Sequence, residues 1–187
     1  MTDLAPGTEI ESEPSVSVDF RSVFESEFSY VWSSLRRLGV PEMDLKDQTQ
    51  EVFLTIHNIL GDYDPARPMR PWLFGIAYRI ALRYRALARH RRELLTDDVP
   101  ETKVDDDGAD EALVLRERQR LVLTAIDSID LGKRAVFVMA EIDGHTMPQI
   151  AQVLGIPLNT AYSRLRLARD EFAAAVRRLR ARERGTT

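Results

Sequence analysis

The sequence predicts an all-α protein, on three observations. Only nine glycines occur in 187 residues. Long stretches place apolar residues three or four apart, the helical period. Glycine or proline then stands where those stretches end. Residues 1–18, rich in Glu, Ser and Pro and poor in large apolar residues, are expected to form a disordered acidic arm. Asp19 is placed to cap a first helix with apolar positions at Phe20, Phe24, Val31, Leu35 and Leu38, stopping at Gly39 with Pro41 just beyond. A second helix is expected from Asp44 to about Leu60, and a proline-containing loop over 63–70. Pro71 suits the first turn of a third helix reaching about Arg92. Residues 93–111 have linker composition and would reach about 60 Å if extended at ~3.3 Å each. Helices near 112–129 and 133–142 precede two short ones around a tight turn. The expected architecture is two small helical domains, 19–92 and 112–175, on a flexible acidic tether, with a basic tail over 176–187.

Composition excludes several functions. There is no cysteine, hence no disulfide framework, zinc finger or thiol nucleophile. The longest apolar stretch, Trp72–Tyr78, is far too short for a membrane span, and the acidic amino terminus lacks the form of a secretion signal. A cytoplasmic protein without membrane insertion is expected. The net charge of −4 averages over opposed blocks. Residues 65–92 hold eight arginines and no acid, 93–111 nine acids and one lysine, and 155–187 eight arginines against three acids. Two basic surfaces separated by a repelling segment suit a polyanion.

The most specific local pattern is HTMPQIAQVLGIPLNTAYSRLRLAR, 145–169. Thr146 and Gln149 form a capping box; Ile150, Ala151 and Leu154 face inward; Gly155 turns the chain and Ile156 plugs between the helices. The next helix buries Ala161, Leu165, Ala168 and Phe172. Its opposite face carries Asn159, Ser163, Arg166, Leu167 and Asp170, flanked by Thr160, Arg164 and Arg169. This is a helix-turn-helix whose second helix can enter a major groove.

On the second helix, Leu45, Thr49, Val52, Phe53, Ile56, Ile59 and Leu60 share one stripe. Asp47, Gln50, Glu51, Leu54 and Asn58 lie opposite, an exposed leucine among acids and amides. On the third, Leu73, Ile76, Ala77, Ile80, Tyr84 and Leu87 point inward. Trp72, Arg79, Arg83 and His90 line one flank, and Tyr78, Arg85, Arg89 and Arg92 another. Arginines interleaved with aromatics suit single-stranded nucleic acid, where rings stack on bases and guanidinium groups hold phosphates.

Together these segments resemble bacterial sigma-70 family sigma factors of the extracytoplasmic-function group. DQTQEVFLTIHNIL, YDP and WLFGIAYRIALRYRALARHRR resemble the family's second conserved region; residues 126–169 resemble its fourth. The resemblance implies an alternative sigma factor that binds core RNA polymerase and directs promoter recognition and duplex opening. Asp47, Gln50, Glu51, Leu54 and Asn58 would dock on the beta-prime clamp helices, with the beta flap as a second contact. Tyr63, Arg67, Arg70, Trp72, Arg79 and Arg83 would hold single-stranded DNA of the −10 element. Asn159, Thr160, Ser163, Arg164 and Arg166 would meet the −35 element, and an anti-sigma factor is a further partner. No enzyme activity, cofactor or metal is implied. The chain departs from the family at Arg79 and Arg83, where Asn and Asp are usual, at Ala161-Tyr162-Ser163-Arg164, where Val-Lys-Ser-Arg is frequent, and at Leu167, where Arg is common. The rival is a helix-turn-helix regulator acting without polymerase, which leaves the Asp47–Leu54 face and the 65–92 block unused.

Overall fold

The computed structural model describes residues 18–94 and 110–185, with side chains over 18–90 and 118–182. The expected arm, apart from Val18, and residues 95–109 of the tether expected over 93–111 lie outside the described residues, while 93–94 close α3 and 110–111 open α4. Among those described there is no strand, and seven α-helices follow one another.

Helix α1, Phe20–Arg37, starts where the Asp19 carboxylate accepts from the Ser22 N–H at 3.0 Å. It stops at Gly39, whose φ of +86° favours glycine. Helix α2, Glu42–Ile59, has Glu42 and Asp44 in its first turn, where the helix dipole favours acids. It buries Leu45, Thr49, Val52, Phe53 and Ile56, the amphipathic stripe expected. A short 3₁₀ turn, Leu60–Asp62, leads to the loop before α3, Met69–Leu94. Leu73, Phe74, Ile76, Ala77, Ile80 and Ala81 of α3 are buried.

Helix α4, Asp110–Asp127, is followed by α5, Leu131–Phe137. The Asp130 carboxylate caps α5, accepting from the Gly132 N–H at 3.0 Å. A π-helical turn, Val138–Ile142, extends it. Helix α6, Met147–Leu154, opens on the expected capping box, in which Gln149 Oε1 accepts from the Thr146 N–H at 3.0 Å. Gly155 ends it with φ +63°, and α7 runs Leu158–Gly185. Residues 176–185, expected as a basic tail, are therefore the last turns of α7.

Helices α1, α2 and α3 pack on one another, and α4, α5 and α6 pack on α7. The two groups also meet, chiefly through α3 and α6. One cluster of buried apolar side chains runs through both, from Leu35, Leu45 and Leu73 to Met139, Ile150 and Leu165. Each fully buried leucine or isoleucine of this cluster contributes about 2 kcal/mol by removal from water.

Two expected core positions are not core. Phe24 is 41% exposed and Leu87 62%. Phe24 sits at the rim of α1, its ring 4.7 Å from that of Phe53 and 5.5 Å from that of Phe28. Along α3, full burial ends at Ala81 and Tyr84 is half-buried. Leu87 falls on an exposed side of α3, between the half-buried Tyr84 and Ala88.

Candidate functional site

On α2, Asp47, Gln50, Glu51, Leu54 and Asn58 share one shallow surface with Thr55. Leu54 is 58% exposed, as its helical phase requires. The Thr55 hydroxyl donates to the Glu51 carbonyl at 2.9 Å, which leaves it only acceptor capacity toward a partner. Glu51 is also ion-paired with Arg83 of α3. That pair draws an arginine expected at single-stranded DNA to the edge of the α2 face.

The loop before α3 is tied by its own side chains. The Tyr63 hydroxyl donates to the Arg67 carbonyl. Asp64 Oδ1 accepts from the Ala66 N–H at 3.0 Å, and Oδ2 lies 3.3 Å from Arg67 Nε. The Tyr63 ring is 4.9 Å from that of Trp72 at 45°, so the half-buried Trp72 presents one part of its surface outward. Arg70 donates to Glu27 at 3.0 Å and its guanidinium sits 5.1 Å from the centre of the Tyr30 ring. Arg79 is exposed beside Gly75. Tyr63, Arg67 and Trp72 thus come together at the start of α3, whereas Arg70 turns to Glu27 and Tyr30 of α1. Arg79 and Arg83 lie about three and four turns along α3.

In the α6–turn–α7 unit, Ile150 and Ala151 face inward with Ala161, Leu165 and Ala168. The Ile156 N–H donates to the Ala151 carbonyl at 3.0 Å across the turn. Asn159, Ser163, Arg166 and Asp170 are exposed. Thr160 is half-buried, and its carbonyl accepts from the Ser163 hydroxyl at 3.0 Å. Arg169 is fixed to Glu141 at 2.9 and 2.6 Å. Arg164 is half-buried and turned inward, Nη1 lying 3.4 Å from where a β-carbon on Gly132 would sit.

Residues 119–172 match the family described as Sigma-70, region 4, which takes in the whole helix-turn-helix. The chain is 32% identical over 149 residues to the RNA polymerase sigma factor CnrH of Cupriavidus metallidurans, covering 74% of this chain and 76% of that one. This chain belongs to the sigma-70 family. It is also 29% identical to the extracytoplasmic-function sigma-E factor of Escherichia coli K12, over 74% of this chain and 76% of that one. Among solved structures, CnrH in complex with the cytosolic domain of CnrY has a TM-score of 0.59 at 28% identity, covering 83% and 85% of the two chains. The sigma factor RpoE of Bartonella quintana, solved with the anti-sigma factor NepR, has a TM-score of 0.66 at 13% identity, covering 85% and 97%, and shares the fold. The chain is an extracytoplasmic-function sigma factor, and its relatives are non-catalytic RNA polymerase subunits.

Within this sigma factor the seam between the two helical groups went unread in the sequence. The Tyr30 hydroxyl donates to Asp143 at 2.9 Å, and Arg37 lies 3.6 Å from the same carboxylate. Burial raises the Asp143 carboxyl above its ordinary value, while the Tyr30 hydrogen bond and Arg37 oppose the rise. Burial beside that carboxylate also raises the Tyr30 hydroxyl. A β-carbon on Gly75 would lie 3.1 Å from Val153 Cγ1, so α3 and α6 approach closely there. A glycine inside an otherwise apolar helix was the available signal. Arg134 is 2% exposed, bonded to Asp127 Oδ1 at 2.7 Å, the Asp127 carbonyl at 2.5 Å and the Ile129 carbonyl at 3.1 Å. Burial lowers the Arg134 guanidinium and raises Asp127, and the two partly restore each other. Among the described residues no three His, Asp or Glu side chains gather as a metal site, and no helix is long and apolar enough to cross a membrane.

Proposed function

We propose that this sigma factor is a dissociable, non-catalytic specificity subunit working in the cytoplasm, with its promoter-binding and polymerase-binding surfaces divided between the two helical groups. Residues 19–92 form the unit for core polymerase and the −10 element. Residues 112–175 form the unit for the −35 element. Leu54, with Asp47, Gln50, Glu51 and Asn58, docks on the clamp helices, and the beta flap takes the second unit. Tyr63, Arg67, Arg70, Trp72, Arg79 and Arg83 engage the displaced strand, Trp72 by stacking and the arginines by phosphate contact. Asn159, Thr160, Ser163, Arg164 and Arg166 meet the −35 duplex, with base edges read by the exposed members and register held by the flanking ones. CnrH and RpoE were each solved with an anti-sigma partner, and a partner of that kind is proposed here.

The observation that carries this reading is the exposed Leu54 on a face of acids and amides. A regulator that worked without polymerase would have no use for it. The experiment is capture of core polymerase by the purified chain, followed by transcription from a randomised promoter library. Core binding with selection at two upstream positions is expected. Specific duplex binding by the free chain, with no affinity for core, would establish the regulator instead.

A further inference from the structure

We propose that Tyr162 reads the −35 element by packing its ring on the 5-methyl group of a thymine in the major groove. The inference deepens the assignment of α7 as the upstream reader and rests on it. Along one edge of α7 stand Leu158, Tyr162 and Arg166, each one turn from the next. Leu158 is 42% exposed and Tyr162 53%, while Leu165 of the same helix is buried and Leu167, also exposed, lies on the outward face. No hydrogen bond or ring contact to a described residue engages Tyr162. An exposed ring beside an exposed leucine leaves apolar surface in water, which favours a partner that offers apolar surface in return.

The chemistry of that partner follows from the surroundings. Arg166 is exposed on the next turn, and Asn159 and Ser163 share the outward surface, so the patch is rimmed by hydrogen-bonding and cationic groups suited to a duplex. Within the major groove each base pair offers donors and acceptors, and only thymine offers an apolar group, its 5-methyl. A ring on the reading surface is matched by that methyl. Arg164 does not compete for the position, since it is half-buried and turned toward Gly132.

The test uses holoenzyme assembled from the full chain and core polymerase, on a promoter duplex recovered from a randomised library. Each upstream thymine is replaced in turn by deoxyuridine, which lacks only the methyl. Binding is expected to weaken about fourfold at one position, the value of one methyl group removed from water. Tyr162→Phe should keep that sensitivity. Tyr162→Ser should bind the parent duplex more weakly and be indifferent to the same replacement, with its fold checked by circular dichroism. The proposal is overturned if no thymine is methyl-sensitive, if the recovered element contains no A·T pair, or if Tyr162→Ser retains the sensitivity. A holoenzyme with no upstream preference at all would overturn the assignment of α7 as well. Preference at other bases without methyl dependence would overturn this inference alone.

Discussion

The Tyr30 hydroxyl donates to the Asp143 carboxylate at 2.9 Å, although 113 residues separate them in sequence. The bond fastens α1 to the turn that leads into α6. The Asp143 carboxyl is raised from its ordinary value of 3.8, mainly by burial. An acid raised on folding binds protons more readily in the native state than in the unfolded chain. Its contribution to stability is therefore full below 3.8 and is lost as pH rises through the folded value. Asp143→Asn retains an acceptor for Tyr30 and removes one titration, so stability should fall less steeply as pH rises above 3.8. Tyr30→Phe removes a bond to the charged form, so the fall should steepen, with about 1.5–3 kcal/mol lost near neutrality. Urea unfolding of the three proteins across pH measures this. Identical slopes would exclude Asp143 as the titrating group.

The same seam bears on promoter engagement. Elements one and a half turns apart are separated by about 50 Å, at ~34–36 Å per turn. Here α3 touches α6 at Gly75 and Val153. Engagement of both elements by the two proposed units is expected to part them there. The chain has no cysteine, which allows a clean test with Gly75→Cys and Val153→Cys in one protein. Oxidation to the disulfide should abolish transcription and reduction should restore it. Normal transcription by the oxidised protein would mean that the seam stays closed on the promoter.

Much of the fold was legible because single residues dictate local geometry. Asp19, Gly39, Thr146, Gln149 and Gly155 each do what their chemistry requires at a helix end. The exposed Leu54 and the outward Asn159, Ser163 and Arg166 followed from helical phase. What periodicity does not encode is which helix lies across from which. Tyr30, Asp143 and Arg134 acquire their roles only through partners brought by tertiary packing. Leu87 shows the converse: it fits the apolar period of α3 yet is exposed, while Ala88 beside it is half-buried.

Gly39 provides a measure of how tightly the two helical groups fit. Its φ is +86°, and a β-carbon there would lie 2.2 Å from Arg134 Nη1. The guanidinium is itself held by three hydrogen bonds. Gly39→Ala should therefore cost about 2–3 kcal/mol, from left-handed strain and the displaced arginine together. Gly61, with nothing within 4 Å of an added β-carbon, is the control, and Gly61→Ala should be near neutral. A cost for Gly39→Ala of only about 1 kcal/mol in chemical denaturation, the backbone strain alone, would show that Arg134 yields freely.

Substitution of Leu54 tests the proposed polymerase-docking face. Its side chain is 58% exposed, so Leu54→Asp should change stability by no more than about 0.5 kcal/mol. At the centre of a docking face the same change should weaken core binding by at least about 2 kcal/mol, roughly thirtyfold. Competition against a second sigma factor for core polymerase, with unfolding followed in parallel, reads both. Unchanged competition by a folded Leu54→Asp protein would move the interface elsewhere.

Arg166 and Arg164 stand two residues apart on α7 and face different surroundings. Arg166 is exposed, with only Asp170 nearby at 3.8 Å, a distance and exposure at which an ion pair holds the side chain loosely. Arg164 is half-buried beside Gly132, and its charge acts on Tyr78 of α3. Free to reorient, Arg166 can form the two parallel bonds to a guanine edge that discriminate by about 1–3 kcal/mol. Arg164, restrained at the flank, is suited to a phosphate once the seam parts. Arg166→Ala should relax preference at one upstream base pair and leave the others as they were. Arg164→Ala should weaken every sequence alike and reduce the salt dependence by about one phosphate contact. Transcription from a set of single-base-substituted promoters at two salt concentrations measures both. If Arg164→Ala alters preference at one position while Arg166→Ala acts uniformly, the roles are exchanged and the flank of α7, rather than its outward face, lies deepest in the groove.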